Sequence, residues 1–252
     1  EKITPKTKAI ILVHLYGMPA NIDEFIKISK EYNLKLIEDC AQAFGSEYKG
    51  RKVGSFGDFG CFSFFPAKTL GAFGDGGLLV TDNRELADRI KLLRNHGRET
   101  KYYHKVIGFN SRLDSLQAGI LRVKLRHIDK WIKKRIGNAW YYNKLLKDVP
   151  EIVLPTSPSD YKHSFNYYTI RLKNKKRPLV EETLRKNNVA CAVYYPLSLH
   201  LQPAHKDLGY KLGDFPEAES AQEEVLSLPM YPELTKNQIR KIVNIIKKAL
   251  TK

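Results

Sequence analysis

Short apolar runs alternate with amphipathic stretches through the first hundred residues. Ala9-Ile10-Ile11-Leu12-Val13 is a continuous apolar run, and Gly17-Met18-Pro19 follows as a turn, the pattern of a buried strand closed by chain-breaking residues. Ile22, Phe25, Ile26 and Ile28 then recur at near-helical spacing up to Tyr32, with Asn21 or Asp23 available as the cap. Leu34-Lys35-Leu36-Ile37 reads as a second strand ending at Glu38-Asp39, Gly60 to Phe64 as a third and Gly77 to Thr81 as a fourth. Leu86, Ile90 and Leu93 mark a helix face that ends near His96-Gly97. Strand, helix, strand in this rhythm predicts an α/β domain whose sheet is mostly parallel and covered by helices.

From Leu113 to about Leu146 the pattern is helical almost throughout, with a break expected at Gly137. The proline-rich stretch from Val149 to Pro158 reads as a linker. Beyond it, a strand over Phe165 to Leu172, a helix from Pro178 to Lys186, a strand over Val189 to Tyr194, and helices near Glu217–Leu226 and Lys236–Leu250 predict a smaller α+β domain. The expected division is residues 1–148 and 149–252.

Composition changes this picture little. Charged and apolar fractions are those of a globular protein, and no apolar run is long enough to span a bilayer. Neither a signal-peptide pattern nor a membrane role is expected. Cys40, Cys61 and Cys191 are odd in number and far apart, so neither a disulfide framework nor a metal site is expected, and the reducing cytoplasm is the default setting. The net charge of +16 suits anionic ligands. The basic residues alternate with core-type residues in helical stretches, as in Arg122-Val123-Lys124-Leu125-Arg126, so a nucleic-acid partner is not expected.

The chemistry-bearing segments lie at the ends of predicted strands: Glu38-Asp39-Cys40-Ala41-Gln42, Ser63 through Lys68, and Gly74-Asp75-Gly76-Gly77. In open α/β sheets ligands sit beyond the carboxyl ends of the strands, where these could converge. Taken singly, each has an ordinary structural reading: a helix cap, a solvated lysine, a turn.

Together with Val13-His14-Leu15-Tyr16-Gly17, Gly108-Phe109-Asn110-Ser111-Arg112-Leu113-Asp114 and Tyr195-Pro196-Leu197-Ser198-Leu199-His200-Leu201-Gln202, they resemble, in collinear order, the DegT/DnrJ/StrS sugar aminotransferases. The resemblance implies a fold-type I large domain, of which this chain holds the rear part, and a small C-terminal α+β domain. It implies pyridoxal phosphate (PLP) as cofactor, held as a Schiff base by Lys68, which also moves the proton in catalysis. Asp39 then faces the pyridine nitrogen, Gln42 the 3-oxygen and Ser63 the phosphate. Asn110 reaches the cofactor of a neighbouring subunit in a homodimer with shared sites. His14 lies near the ring or is a satisfied buried histidine. His200 and Arg112 meet substrate, and Arg94 and His96 are weaker candidates. The implied reaction moves an amino group, with glutamate as donor, to a keto group on a nucleotide-linked sugar. A cyclitol or amino-benzoate precursor as acceptor, and a catalytically silent relative, are the alternatives. Thr69 stands where the family commonly has Asn, and Lys68 argues against the branch that carries His there. Family chains also have a further leading stretch that helps bind the cofactor's phosphate; without it, weak or no PLP binding is expected of this polypeptide.

Overall fold

The computed structural model describes residues 2–251. Among these the chain separates into two compact units: one holds the chain through Ile132 together with Ser157–Asn166, the other Lys133–Thr156 and the chain from Tyr167 onward.

The first unit is built on a four-stranded sheet in the order Ala9–Val13, Lys35–Asp39, Phe59–Ser63, Gly77–Val80. The first three strands run parallel and the last is antiparallel. Because side chains alternate across a strand, the two faces differ sharply. Leu12 and Leu36 are buried on one, beside Cys40 and under Ile22, Phe25 and Ile26 of the helix Ile22–Glu31. Burying each such aliphatic side chain stabilises the unit by about 1.5–3 kcal/mol. The other face carries Ile11, 66% exposed, and Val13, 46% exposed, in register with Ile37 and Asp39.

A hairpin of Glu47–Tyr48 and Arg51–Lys52 takes Tyr161–Lys162 as its third strand, so the chain just after the expected linker belongs to the first unit. The continuous helix expected over 113–146 is two helices, Ser115–Leu125 and Ile128–Leu146. The interruption falls at Arg126-His127, not at Gly137, which the second helix runs straight through; a Cβ at Gly137 would meet nothing within 4 Å.

The second unit centres on an antiparallel sheet ordered Val225–Leu228, Tyr168–Leu172, Ile152–Val153, packed with helices Arg177–Lys186 and Lys236–Leu250. Thr235 and Gln238 form a reciprocal capping box at the start of the last helix, satisfying two otherwise orphaned N–H groups. Two expectations fail here. Val189–Tyr194 is no strand and contributes one bridge, Ala192 to Ser227. The helix expected to reach Leu226 ends at Glu224, and Val225–Leu228 is the fully buried edge strand. Short apolar runs do not distinguish a buried strand from a helix end.

Candidate active site

Two neighbouring carboxylates at the end of the second strand point to opposite faces and have opposite surroundings. Glu38 is completely buried. It accepts N–H groups from Gly54 (2.7 Å), Phe56 (2.7 Å) and Gly57 (2.8 Å), and lies 3.1 Å from His14 Nε2. Burial pushes its pKa up, but the hydrogen bonds from His14, Gly54, Gly57 and Phe56 outweigh that and hold it below the usual carboxylate range. His14 is equally buried. Its Nδ1 accepts the Ala20 N–H (3.1 Å), so Nε2 carries a hydrogen for Glu38 and both ring nitrogens are used within the protein.

Asp39, on the open face, is half-buried and accepts one N–H, from Ala41 at 3.0 Å. Across the parallel register it pairs with Cys61, which places Ser63 two residues further along the same face. Ser63 Oγ accepts the Phe65 N–H at 3.2 Å, leaving its own hydrogen for another acceptor.

Lys68 lies in the turn after this strand, its N–H donating to the Phe65 carbonyl at 2.9 Å. Its amine is half-buried and makes no hydrogen bond or ion pair among the described residues. Burial lowers its pKa, while the charge on Asp39 acts in the opposite direction; the two groups are near enough to feel each other without pairing. Gly71 folds the loop back tightly, since a Cβ there would sit 2.3 Å from the Pro66 carbonyl oxygen. Gln42, also buried, accepts the Tyr16 N–H through Oε1 at 2.7 Å. Tyr16 holds a left-handed φ of 60°, a conformation that costs about 1–3 kcal/mol and persists only where its surroundings hold it.

The outer candidates are placed differently. Asn110 is exposed and bridges to Asn95. Arg112 is exposed and shares with Arg94, Cys61, Asp75 and Leu79 a groove of about 900 Å³. His200 belongs to the second unit, where its Nε2 lies 2.9 Å from Glu219 and its ring packs against Phe215. The thiols near Asp39 are poor nucleophiles: burial raises the pKa of Cys40 well out of the reactive range, and burial plus the Asp39 charge raises that of Cys61.

Sequence reasoning passed over two parts of this arrangement. One is Glu38, which strand alternation puts on the buried side with Leu36. The other is the segment His163-Ser164-Phe165-Asn166, whose Asn166 Oδ1 accepts both Thr69 N–H (3.0 Å) and Thr69 Oγ1–H (3.1 Å).

Lys68 thus presents an amine with no hydrogen bond or ion pair among the described residues, in the field of Asp39 and just beyond the carboxyl end of the strand Phe59–Ser63. Residues 1–247 match the DegT/DnrJ/EryC1/StrS aminotransferase family, and the chain belongs to it. It is 47% identical to a pleiotropic regulatory protein of Geobacillus stearothermophilus, over 97% of this chain and 66% of that one. It is 45% identical to the UDP-N-acetyl-3-dehydro-alpha-D-glucosamine 3-aminotransferase of Acidithiobacillus ferrooxidans, over 98% and 66%. The crystal structure of S. venezuelae DesV, in complex with a ketimine intermediate, superposes with a TM-score of 0.94 at 39% identity, covering 98% of this chain and 66% of that one. The fold is thus that of the PLP-dependent aminotransferases, and the chain spans about two thirds of the length of these relatives.

Proposed function

We propose that this chain is part of a PLP-dependent aminotransferase that moves an amino group from glutamate to a keto group of a nucleotide-linked sugar. The observation that carries the proposal is the Lys68–Asp39 arrangement: a half-buried amine of lowered pKa, without a hydrogen bond or ion pair among the described residues, within reach of a carboxylate's field. The donor set fits the cofactor, offering an amine for its aldehyde, a carboxylate for its ring nitrogen and a serine hydroxyl for its phosphate. When bound, the cofactor supplies an electron sink for breaking the bonds at the donor's α-carbon.

This chain's residues do the rest. Asp39 holds a proton on the ring nitrogen, Gln42 orients the ring from its 3-oxygen side, and Ser63 donates to phosphate. Lys68 binds the cofactor and, once released, moves a proton at its Nζ; its lowered pKa keeps more of the amine unprotonated near neutrality. His14 serves this site from beneath, by fixing Glu38. Arg112 and His200 recognise anionic and hydroxyl groups of the substrate, and Asn110 serves the site of a second subunit in a homodimer. The names of the relatives, transaminases of UDP- and dTDP-linked sugars, support the substrate class. No helix among the described residues is long and apolar enough to cross a membrane, and we assign the enzyme to the cytoplasm.

The test is the absorbance spectrum of the full-length protein with PLP, before and after glutamate. A cofactor band that requires Lys68 and converts on adding glutamate is expected; no change in either step sinks the proposal. A regulatory role on the same fold is favoured by the name of the 47%-identical relative. Salt-dependent DNA binding with no spectral response to PLP would select it.

A further inference from the structure

The segment Ser157–Asn166 belongs to the first unit although the residues on both sides of it belong to the second. Its last four residues are polar or aromatic and almost wholly buried: His163 at 5%, Ser164 at 0%, Phe165 at 5% and Asn166 at 3% exposure. Burying the Phe165 ring is favourable, but burying the polar groups of His163, Ser164 and Asn166 is costly unless they are hydrogen-bonded, and here the segment attaches to two places in the site. Ser164 N–H donates to the Gly17 carbonyl at 3.0 Å, while Ser46 Oγ lies 2.6 Å from that carbonyl oxygen and 2.9 Å from Ser164 Oγ. The approach is close enough that a Cβ on Gly17, at φ +100°, would sit 2.4 Å from Ser164 Oγ; only glycine fits there. Asn166 makes the other attachment. Its single Oδ1 takes both donors of Thr69, the residue after Lys68.

The loop from Phe64 to Phe73 is fastened elsewhere by Ala72 N–H to the Phe64 carbonyl, by Phe73 N–H to Gln117 Oε1 and by Lys124 Nζ to the Gly71 carbonyl. None of these acts at Lys68 or its immediate neighbour from another element. Thr69 is buried and its neighbour Lys68 is not, so Asn166 marks the point where the loop passes from a fixed interior to the reactive amine.

We propose that Asn166 is a positioning residue for Lys68: by accepting both Thr69 donors it fixes the backbone from which the lysine side chain projects toward Asp39. Without that acceptor, two donors at Thr69 lose their partner, the loop relaxes to find water, and the amine gains solvent and regains its proton more readily. This rests on the assignment of Lys68 to the cofactor for its meaning, but the positioning itself can be read without cofactor.

The test is trace acylation of the full-length protein over a pH series, with the labelling midpoint of Lys68 followed by peptide mass spectrometry. In Asn166→Leu the midpoint is expected to move up by roughly one to two pH units, the scale of the two lost hydrogen bonds, with other lysines unchanged. Thr69→Val, which removes only the hydroxyl donor, moves it in the same direction by less, and Thr69→Ser restores the wild-type midpoint. If Asn166→Leu fails to fold by circular dichroism, the Thr69→Val and Thr69→Ser pair decides. Midpoints that coincide with wild type in the folded variants overturn the proposal. The parallel arm, the rate at which the Lys68-dependent band forms with PLP, is expected to slow by on the order of tenfold. If wild type itself forms no band, the cofactor reading fails while the acylation midpoints still decide the role of Asn166.

Discussion

Glu38 and Asp39 are adjacent carboxylates on one strand, and they differ in almost everything else. Glu38 is sealed beneath the sheet with four donors converging on it. Asp39 stands on the open face with one N–H from Ala41 and the field of an amine that it does not touch. The satisfied group ties the loop of Gly54–Gly57 and the His14 turn to the strand. The other is left with acceptor capacity to meet a ligand. A one-residue step along a strand is enough to separate structural from chemical use of the same functional group.

The largest effect is expected on the chemical side. Lys68→Ala is expected to lower turnover by about 10²–10⁴-fold while leaving the urea midpoint in place; a matching loss of stability would mean that the lysine is structural. On the buried side the effects reverse. Glu38→Leu strands three backbone N–H groups and the His14 ring, and should cost about 3–5 kcal/mol in urea unfolding, whereas Asp39→Asn should cost within about 0.5 kcal/mol and lose the cofactor spectrum. Equal stability losses from the two substitutions would erase the distinction.

A pH experiment sharpens it. Burial, partly offset by a hydrogen bond to the Gly17 backbone, lowers the His163 pKa from 6.5 to about 3. Well above pH 6.5 this histidine is neutral in both folded and unfolded chains and contributes no pH dependence. Below it the unfolded chain binds the proton first, so stability falls toward acid, by about 2 kcal/mol at pH 5. His163→Phe should remove that slope in chemical unfolding followed across pH; an unchanged slope would place the ring in water. Smallest is Ser63→Ala, expected to weaken PLP binding by roughly 2- to 12-fold in equilibrium titration, the scale of one hydrogen bond. No weakening would remove Ser63 from the phosphate's partners.

What the chain discloses by itself follows from how local the signal is. The strands Ala9–Val13 and Gly77–Val80 and the helix Lys236–Leu250 were legible because each carries its own periodicity or apolar run. The Asp39–Gln42 and Ser63–Lys68 segments were visible as strand ends bearing polar groups, though their roles came from resemblance. The placement of Glu38 was available in principle, since Leu36 and Glu38 share parity on one strand. The segment 163–166 was not: its burial depends on contacts with Gly17, Ser46 and Thr69, all distant in sequence. Phe165 and Asn166 read as the start of a strand reaching Leu172, a strand that begins only at Tyr168, until those partners are known. Val225–Leu228 was hidden for a related reason, its pairing with Tyr168–Arg171 being equally remote.

Lys68 is proposed as the residue that binds the cofactor. Reduction of the PLP-loaded full-length protein with borohydride, followed by peptide mapping, tests it most directly. The reduced cofactor's mass is expected on the peptide containing Phe64-Phe65-Pro66-Ala67-Lys68, with none in Lys68→Ala. Cofactor found on another lysine, or on none, would contradict it.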